Sequence, residues 1–233
     1  MPDFMVMLLS SEAQEAQLAP VELNALEEAH TTYEQQLRAT SAYVDGARLR
    51  PSAEGRRVSA RGGAPRVDSG PFDDPALAGY YVVRAESLDA AAALAQVCPM
   101  APGTVLDVRP VMKGDIHPDK DRHQGRVFGF AVLGSAPSER AWIDVMDTID
   151  AKTSDTFPTD RWCGGVRLKA RGRRVTSSGG QRAVFDGPFL ESKEVIGGLF
   201  FLRQATIEEA VQWAKQSGFV KDGGLEIREL WRT

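Results

Sequence analysis

One stretch of this chain is written twice. Shifted by 117 positions, residues 55–72 fall on residues 172–189 without a gap, and ten of the eighteen pairs are identical. The matches include Gly-Arg-Arg-Val at 55–58 and 172–175, Gly62-Gly63 on Gly179-Gly180, and Gly-Pro-Phe at 70–72 and 187–189. Shifted by 119, residues 78–110 fall on 197–229, aligning Gly79 with Gly198, Arg84 with Arg203 and Arg109 with Arg228. So long a period marks a duplicated domain, since solenoid units recur every ~20–50 residues. The 233 residues have room for two domains of about 110 residues each. The repeat places them at 1–112 and 126–233, joined by a charged linker over 113–125.

Each half reads strand, helix, hairpin region, strand, helix, strand. The apolar run 4–9 is a buried strand. Pro20 opens a helix whose Leu23, Leu26, His30, Tyr33 and Leu37 recur at steps of three and four. Residues 43–67 are extended and turn at Gly62-Gly63; 80–84 is a strand, Ser87 caps a helix to about 97, and 105–111 closes the half. The second half repeats this with a strand at 127–133 and a helix face of Trp142, Met146 and Ile149. A hairpin follows over 166–184, then a strand at 199–203, a helix capped by Thr206 and Glu209, and a strand at 225–231. Two αβ units per half, with helices on one face of a mostly antiparallel sheet, predict an α+β chain of two ferredoxin-like domains. Each sheet has a second apolar face to bury, so the expectation is an intrachain dimeric α/β barrel.

Composition narrows the class of partner. A net charge of −4 supplies no global basic field for nucleic acid or an anionic membrane. The paired basic hairpins (Arg48, Arg50, Arg56, Arg57, Arg61 and Arg66, then Arg167, Lys169, Arg171, Arg173, Arg174 and Arg182) are either ribbons for nucleic acid or a phosphorylated ligand or charged, protected strand edges, and the negative net charge favours the edges. The run 4–9 is too short for a signal-peptide core, and Cys98 and Cys163 do not correspond between halves, so we expect a cytoplasmic protein without disulfides. His117, Asp119, Asp121 and His123 alternate in the linker, a pattern that charged linkers produce readily; no metal site is expected there.

Residues 186–194, Asp-Gly-Pro-Phe-Leu-Glu-Ser-Lys-Glu, resemble the DGPFAETKE motif of the YCII-related family, departing at Leu190 and Ser192. Arg182-Ala183-Val184-Phe185 before it and Gly197-Gly198-Leu199-Phe200-Phe201 after it fit the same family, as does Arg48-Leu49-Arg50-Pro51-Ser52 in the first half. The resemblance implies ferredoxin-like domains pairing as a dimeric α/β barrel. Muconolactone isomerase and cofactor-independent monooxygenases share that barrel, and some family members carry a His-Asp pair suspected of enzymatic work. Association of this branch with extracytoplasmic-function sigma factors is the other implication. The motif is degenerate in the first half, where Ser69 stands at the place of Asp186.

Two functional readings follow. The preferred one is a small-molecule-binding protein or a cofactor-independent isomerase- or oxygenase-like enzyme; the alternative is a regulatory module docking a sigma factor. Asp186 and His30 are the catalytic candidates, and Lys193, Glu194 and Arg182 the ligand-binding ones. Asp186 is either a base at the barrel mouth or the closure of an Asx turn. His30 is either a proton shuttle or a satisfied residue of the helix face. Whether the chain is an enzyme, and whether whole chains form a homodimer, stays open at this stage.

Overall fold

The computed structural model describes residues 1–60, 63–72, 74–115, 125–134, 144, 147, 158, 160–187, 195–220 and 223–231. In chain order the first elements are β1 (Asp3–Ser10), α1 (Glu12–Glu15), α2 (Pro20–Ala39), β2 (Tyr43–Arg48), β3 (Arg56–Ser59) and β4 (Arg66–Ser69). Then come β5 (Ala76–Arg84), α3 (Leu88–Gln96), β6 (Val105–Asp115), β7 (Val127–Gly134) and β8 (Trp162–Leu168). The last are β9 (Arg173–Ser178), β10 (Gln181–Asp186), β11 (Val195–Arg203), α4 (Ile207–Gln216) and β12 (Gly224–Glu229). The helix expected around Trp142, Met146 and Ile149 lies outside the described residues.

The chain divides into two compact units that cut across the halves of the sequence. Unit 1 comprises Met1–Arg48, Asp73–Val111 and Arg171–Gly187; unit 2 comprises Leu49–Phe72, Met112–Ala170 and Pro188–Thr233. Each unit therefore holds the hairpin of the opposite repeat.

In unit 1 the strand order is β2-β5-β1-β6, antiparallel throughout, which is the order of a ferredoxin-like βαββαβ sheet. The second repeat's hairpin extends it, β9 on β6 and β10 on β9. Alternate residues Phe4, Val6 and Leu8 of β1 join Val83, Leu106 and Val108 in a core closed by Tyr33 and Leu37 of α2 and by Ala91 and Ala95 of α3. Met5 and Met7 are buried too, so β1 is covered on both faces, which is why it reads as an unbroken apolar run.

Unit 2 repeats the order as β8-β11-β7-β12, with the first repeat's β3 on β12 and β4 on β3. Its core gathers Phe128, Phe130 and Val132 of β7, Phe200 and Leu202 of β11, and Ala210, Val211 and Ala214 of α4.

The repeated Gly-Arg-Arg-Val now has a physical reading, because it docks each hairpin on its host strand. A Cβ on Gly172 would stand 2.2 Å from the Val108 carbonyl oxygen, and one on Gly55 would stand 2.7 Å from Cδ of Arg228. The second arginine faces an acid across the ladder. Arg174 donates to Asp107 from Nε at 2.7 Å and Nη2 at 3.0 Å, and Arg57 Nη2 donates to Glu226 at 2.9 Å. Buried Arg109 and Arg228 approach the same two acids at 3.4 and 3.1 Å. The valines, Val175 and Val58, are fully buried. Matched bonds close the hairpins at the Gly-Pro-Phe end, Gly70 N–H to Gly55 O at 3.3 Å and Gly187 N–H to Gly172 O at 3.0 Å.

Strand β11 begins at Val195, four residues before the expected 199. Gly197-Gly198 resembles a break in the sequence, but a Cβ on Gly198 would lie 2.4 Å from the Val166 carbonyl oxygen, so glycine there admits the neighbouring backbone.

Candidate functional site

Helix α2 turns one face toward the sheet of unit 1, and that face carries His30, Tyr33 and Leu37 at helical spacing. Pro20 at its first turn and Glu22 bonding back to the Ala19 N–H at 2.7 Å fix where the helix starts, and so which residues face inward. Opposite them, Tyr81 projects from β5 on the helix side. Its neighbour Tyr80 points to the other face, where its hydroxyl donates to buried Asp45 at 2.8 Å.

His30 Nδ1 and the Tyr81 hydroxyl are 3.0 Å apart, and the two rings stack at 6.1 Å between centroids. Tyr33 meets Tyr81 edge-on at 5.2 Å and donates its hydroxyl proton to the Leu94 carbonyl at 3.0 Å. On the hairpin side, Arg182 Nη1 donates to the Cys98 carbonyl at 2.6 Å. His30, Tyr81, Tyr33, Cys98 and Arg182 thus form one polar seam between α2, α3 and the sheet.

Burial, helped by the Arg48 guanidinium, lowers His30 to about 4, so the imidazole is uncharged at neutral pH. The same burial raises both Tyr33 and Tyr81, which stay protonated as hydrogen-bond donors. Cys98 is pushed up to about 12 by burial, against the opposing pull of Arg182, so its sulfur is a thiol rather than a nucleophilic thiolate. Arg48 itself is engaged, donating to Glu15 at 2.8 Å and Glu27 at 3.2 Å. Among the described residues Nε2 of His30 has no protein partner, and the ring is only half-buried. The seam therefore presents one neutral imidazole nitrogen, oriented from behind by a phenol.

The other sequence candidates lie elsewhere. Asp186 ends β10, where its carboxylate is 80% exposed and pairs with Arg173 at 2.8 Å. Arg173 in turn donates to Asp89 at 2.9 Å. The structure brings Arg182 to the His30 seam and leaves Asp186 outside it. Lys193 and Glu194 lie outside the described residues, as do His117, Asp119, Asp121 and His123. Among the described residues no group of three or more His, Cys, Asp or Glu side chains is placed to hold a metal ion. No described helix is long and apolar enough to cross a membrane. Sequence reasoning did not single out Tyr81 or Cys98. The period-two alternation of β5 would have put Tyr81 on the face of His30, but Cys98 becomes visible only once the hairpin carrying Arg182 is docked.

No curated protein matches the chain. Among solved structures, one assigned provisionally as a chlorite dismutase is similar over 100% of this chain and 96% of its own, at 9% identity and a TM-score of 0.41. The family profile of the YCII-related domain matches residues 4–114 and again residues 164–233. Those two matches cover both repeats, and the chain belongs to the YCII-related domain family as a tandem duplication.

Proposed function

We propose that this protein binds a small carbonyl-bearing molecule through a hydrogen bond from His30. The supporting observation is the imidazole held uncharged by burial and backed by the Tyr81 hydroxyl at 3.0 Å. A neutral imidazole is a poor acid and a weak base at neutral pH. It serves best as a hydrogen-bond partner for a carbonyl or enolate oxygen, where a charged ring would bind too firmly to the ground state. The role requires the tautomer in which the Tyr81 hydroxyl donates to Nδ1 and the ring proton sits on Nε2, free to donate to that oxygen. Arg182, whose partner in the seam is the uncharged Cys98 carbonyl, favours a ligand with partial or full negative charge.

The test is native mass spectrometry of the full chain after incubation with a panel of small 2-oxo acids and lactones, compared with His30→Ala and Tyr81→Phe. We expect wild type to retain a ligand that His30→Ala loses and Tyr81→Phe holds at least ~10-fold more weakly, the equivalent of one ~1.4 kcal/mol hydrogen bond. Binding that survives His30→Ala unchanged overturns the assignment.

A further inference from the structure

The outer edge of β10 differs from its counterpart in the other repeat. Gly179 and Gly180 have φ of +58° and +78°, the two left-handed positions of a type I′ hairpin turn. In such a hairpin Ser178 and Gln181 exchange backbone bonds, and the following pairs alternate. Gln181, Ala183 and Phe185 therefore turn their N–H and C=O groups toward β9, while Arg182, Val184 and Asp186 turn theirs outward. Among the described residues β10 pairs with β9 alone. Residues 183–186 are exposed, with Phe185 at 52% and Val184 at 36%.

The equivalent strand in the first repeat is guarded. Under the 117-residue shift Arg66 and Asp68 stand where Ala183 and Phe185 do, and those two charges pair with each other at 2.8 Å. Val67, the counterpart of Val184, packs against the core of unit 2. Alternating charge is a common way to keep an edge strand from pairing. The second repeat carries apolar side chains at both of those positions.

We propose that two copies of this chain associate by antiparallel addition of their β10 edges, centred on Val184. In that register Val184 faces its own copy, Arg182 faces the second copy's Asp186, and Ala183 faces Phe185. Every outward N–H and C=O of Arg182, Val184 and Asp186 finds a partner, because these same residues are opposed to each other. A register shifted by one residue opposes outward groups to inward ones and sets Arg182 against Phe185. Charge complementarity and backbone phase thus select one alignment. Asp186 is suited to it: its carboxylate is 80% exposed while held by Arg173, and the second copy's Arg182, anchored through Nη1 on its own Cys98 carbonyl, meets it with its remaining N–H donors.

A strand-edge contact of this length is small, so the association belongs in the micromolar range or weaker. Sedimentation velocity on the full chain from ~5 to ~500 μM should show a monomer–dimer equilibrium whose dissociation constant rises at least ~10-fold in Phe185→Lys and in Val184→Pro. Circular dichroism and melting temperature serve as the check that both variants stay folded. Because residue 184 meets its own copy, Val184→Cys should form a reducible covalent dimer under mild oxidation, whereas Gln181→Cys should not. The native Cys98 and Cys163 are buried and give little background. A chain that stays monomeric throughout the range, a dimer indifferent to Phe185→Lys, or a Val184→Cys variant that does not cross-link overturns the proposal.

Discussion

His30 is the residue whose environment does most to its chemistry. Burial is the larger influence and the Arg48 charge the smaller, and both disfavour the imidazolium, bringing the ring to about 4 from its ordinary 6.5. Between these two values the unfolded chain takes up a proton at this position and the folded chain does not, so stability falls as the pH drops through that window. The loss approaches ~1.4 kcal/mol per pH unit at its steepest and levels off once the folded ring protonates as well. We expect urea melts of wild type to lose stability between about pH 7 and about pH 4.5 more steeply than those of His30→Gln, which has no proton to gain. Parallel curves for the two proteins would show that His30 titrates freely.

At the scale of the element, the hairpins carry the repeat's information. Gly172 leaves room for Val108 to come within 2.2 Å of where a Cβ would sit, so Gly172→Ala must push β9 off β6. Gly179→Ala meets nothing within 4 Å and only strains a left-handed φ of +58°. We expect the first substitution to cost ~3 kcal/mol or more and the second about 1 kcal/mol, read as the difference in urea midpoints. Much of this fold was legible beforehand. Helix α2 announced itself through Pro20 and its apolar stripe, β1 through its apolar run, and the second hairpin through the alignment of Gly179-Gly180 with the turn pair Gly62-Gly63. What stayed hidden was which strand each hairpin docks on, because Gly-Arg-Arg-Val says only that it needs a close backbone and an acid. Asp107 and Glu226 both supply one, and nothing local to either sequence half says which partner belongs to which. The site was half-legible for the same reason. His30 and Tyr33 sit on one helix stripe, but Arg182 joins them only through a hairpin placed by distant contacts.

At the scale of the whole molecule, the exchange makes each compact unit a product of both repeats. Unit 2 needs β3 against β12, where Arg57 meets Glu226 at 2.9 Å and Val58 completes the core. A fragment spanning residues 126–233 lacks β3 and β4, so the edge of β12 is bare and Glu226 keeps only Arg228 of its two arginine partners. It also carries β9 and β10 without β6, leaving Val175 and Arg174 without their sites on Leu106 and Asp107. Exposing that apolar edge and breaking a largely buried ion pair costs several kcal/mol, comparable with the ~5–15 kcal/mol that holds a domain together. We therefore expect fragments 1–112 and 126–233, expressed separately, to lack a cooperative melt as monomers. Each should either stay disordered or self-associate by trading hairpins between copies, while an equimolar mixture should recover one complex with the far-ultraviolet circular dichroism and melting transition of the intact chain. Size-exclusion chromatography with light scattering separates these outcomes. A 126–233 fragment that runs as a well-folded monomer would mean the borrowed hairpin is dispensable to the unit it completes.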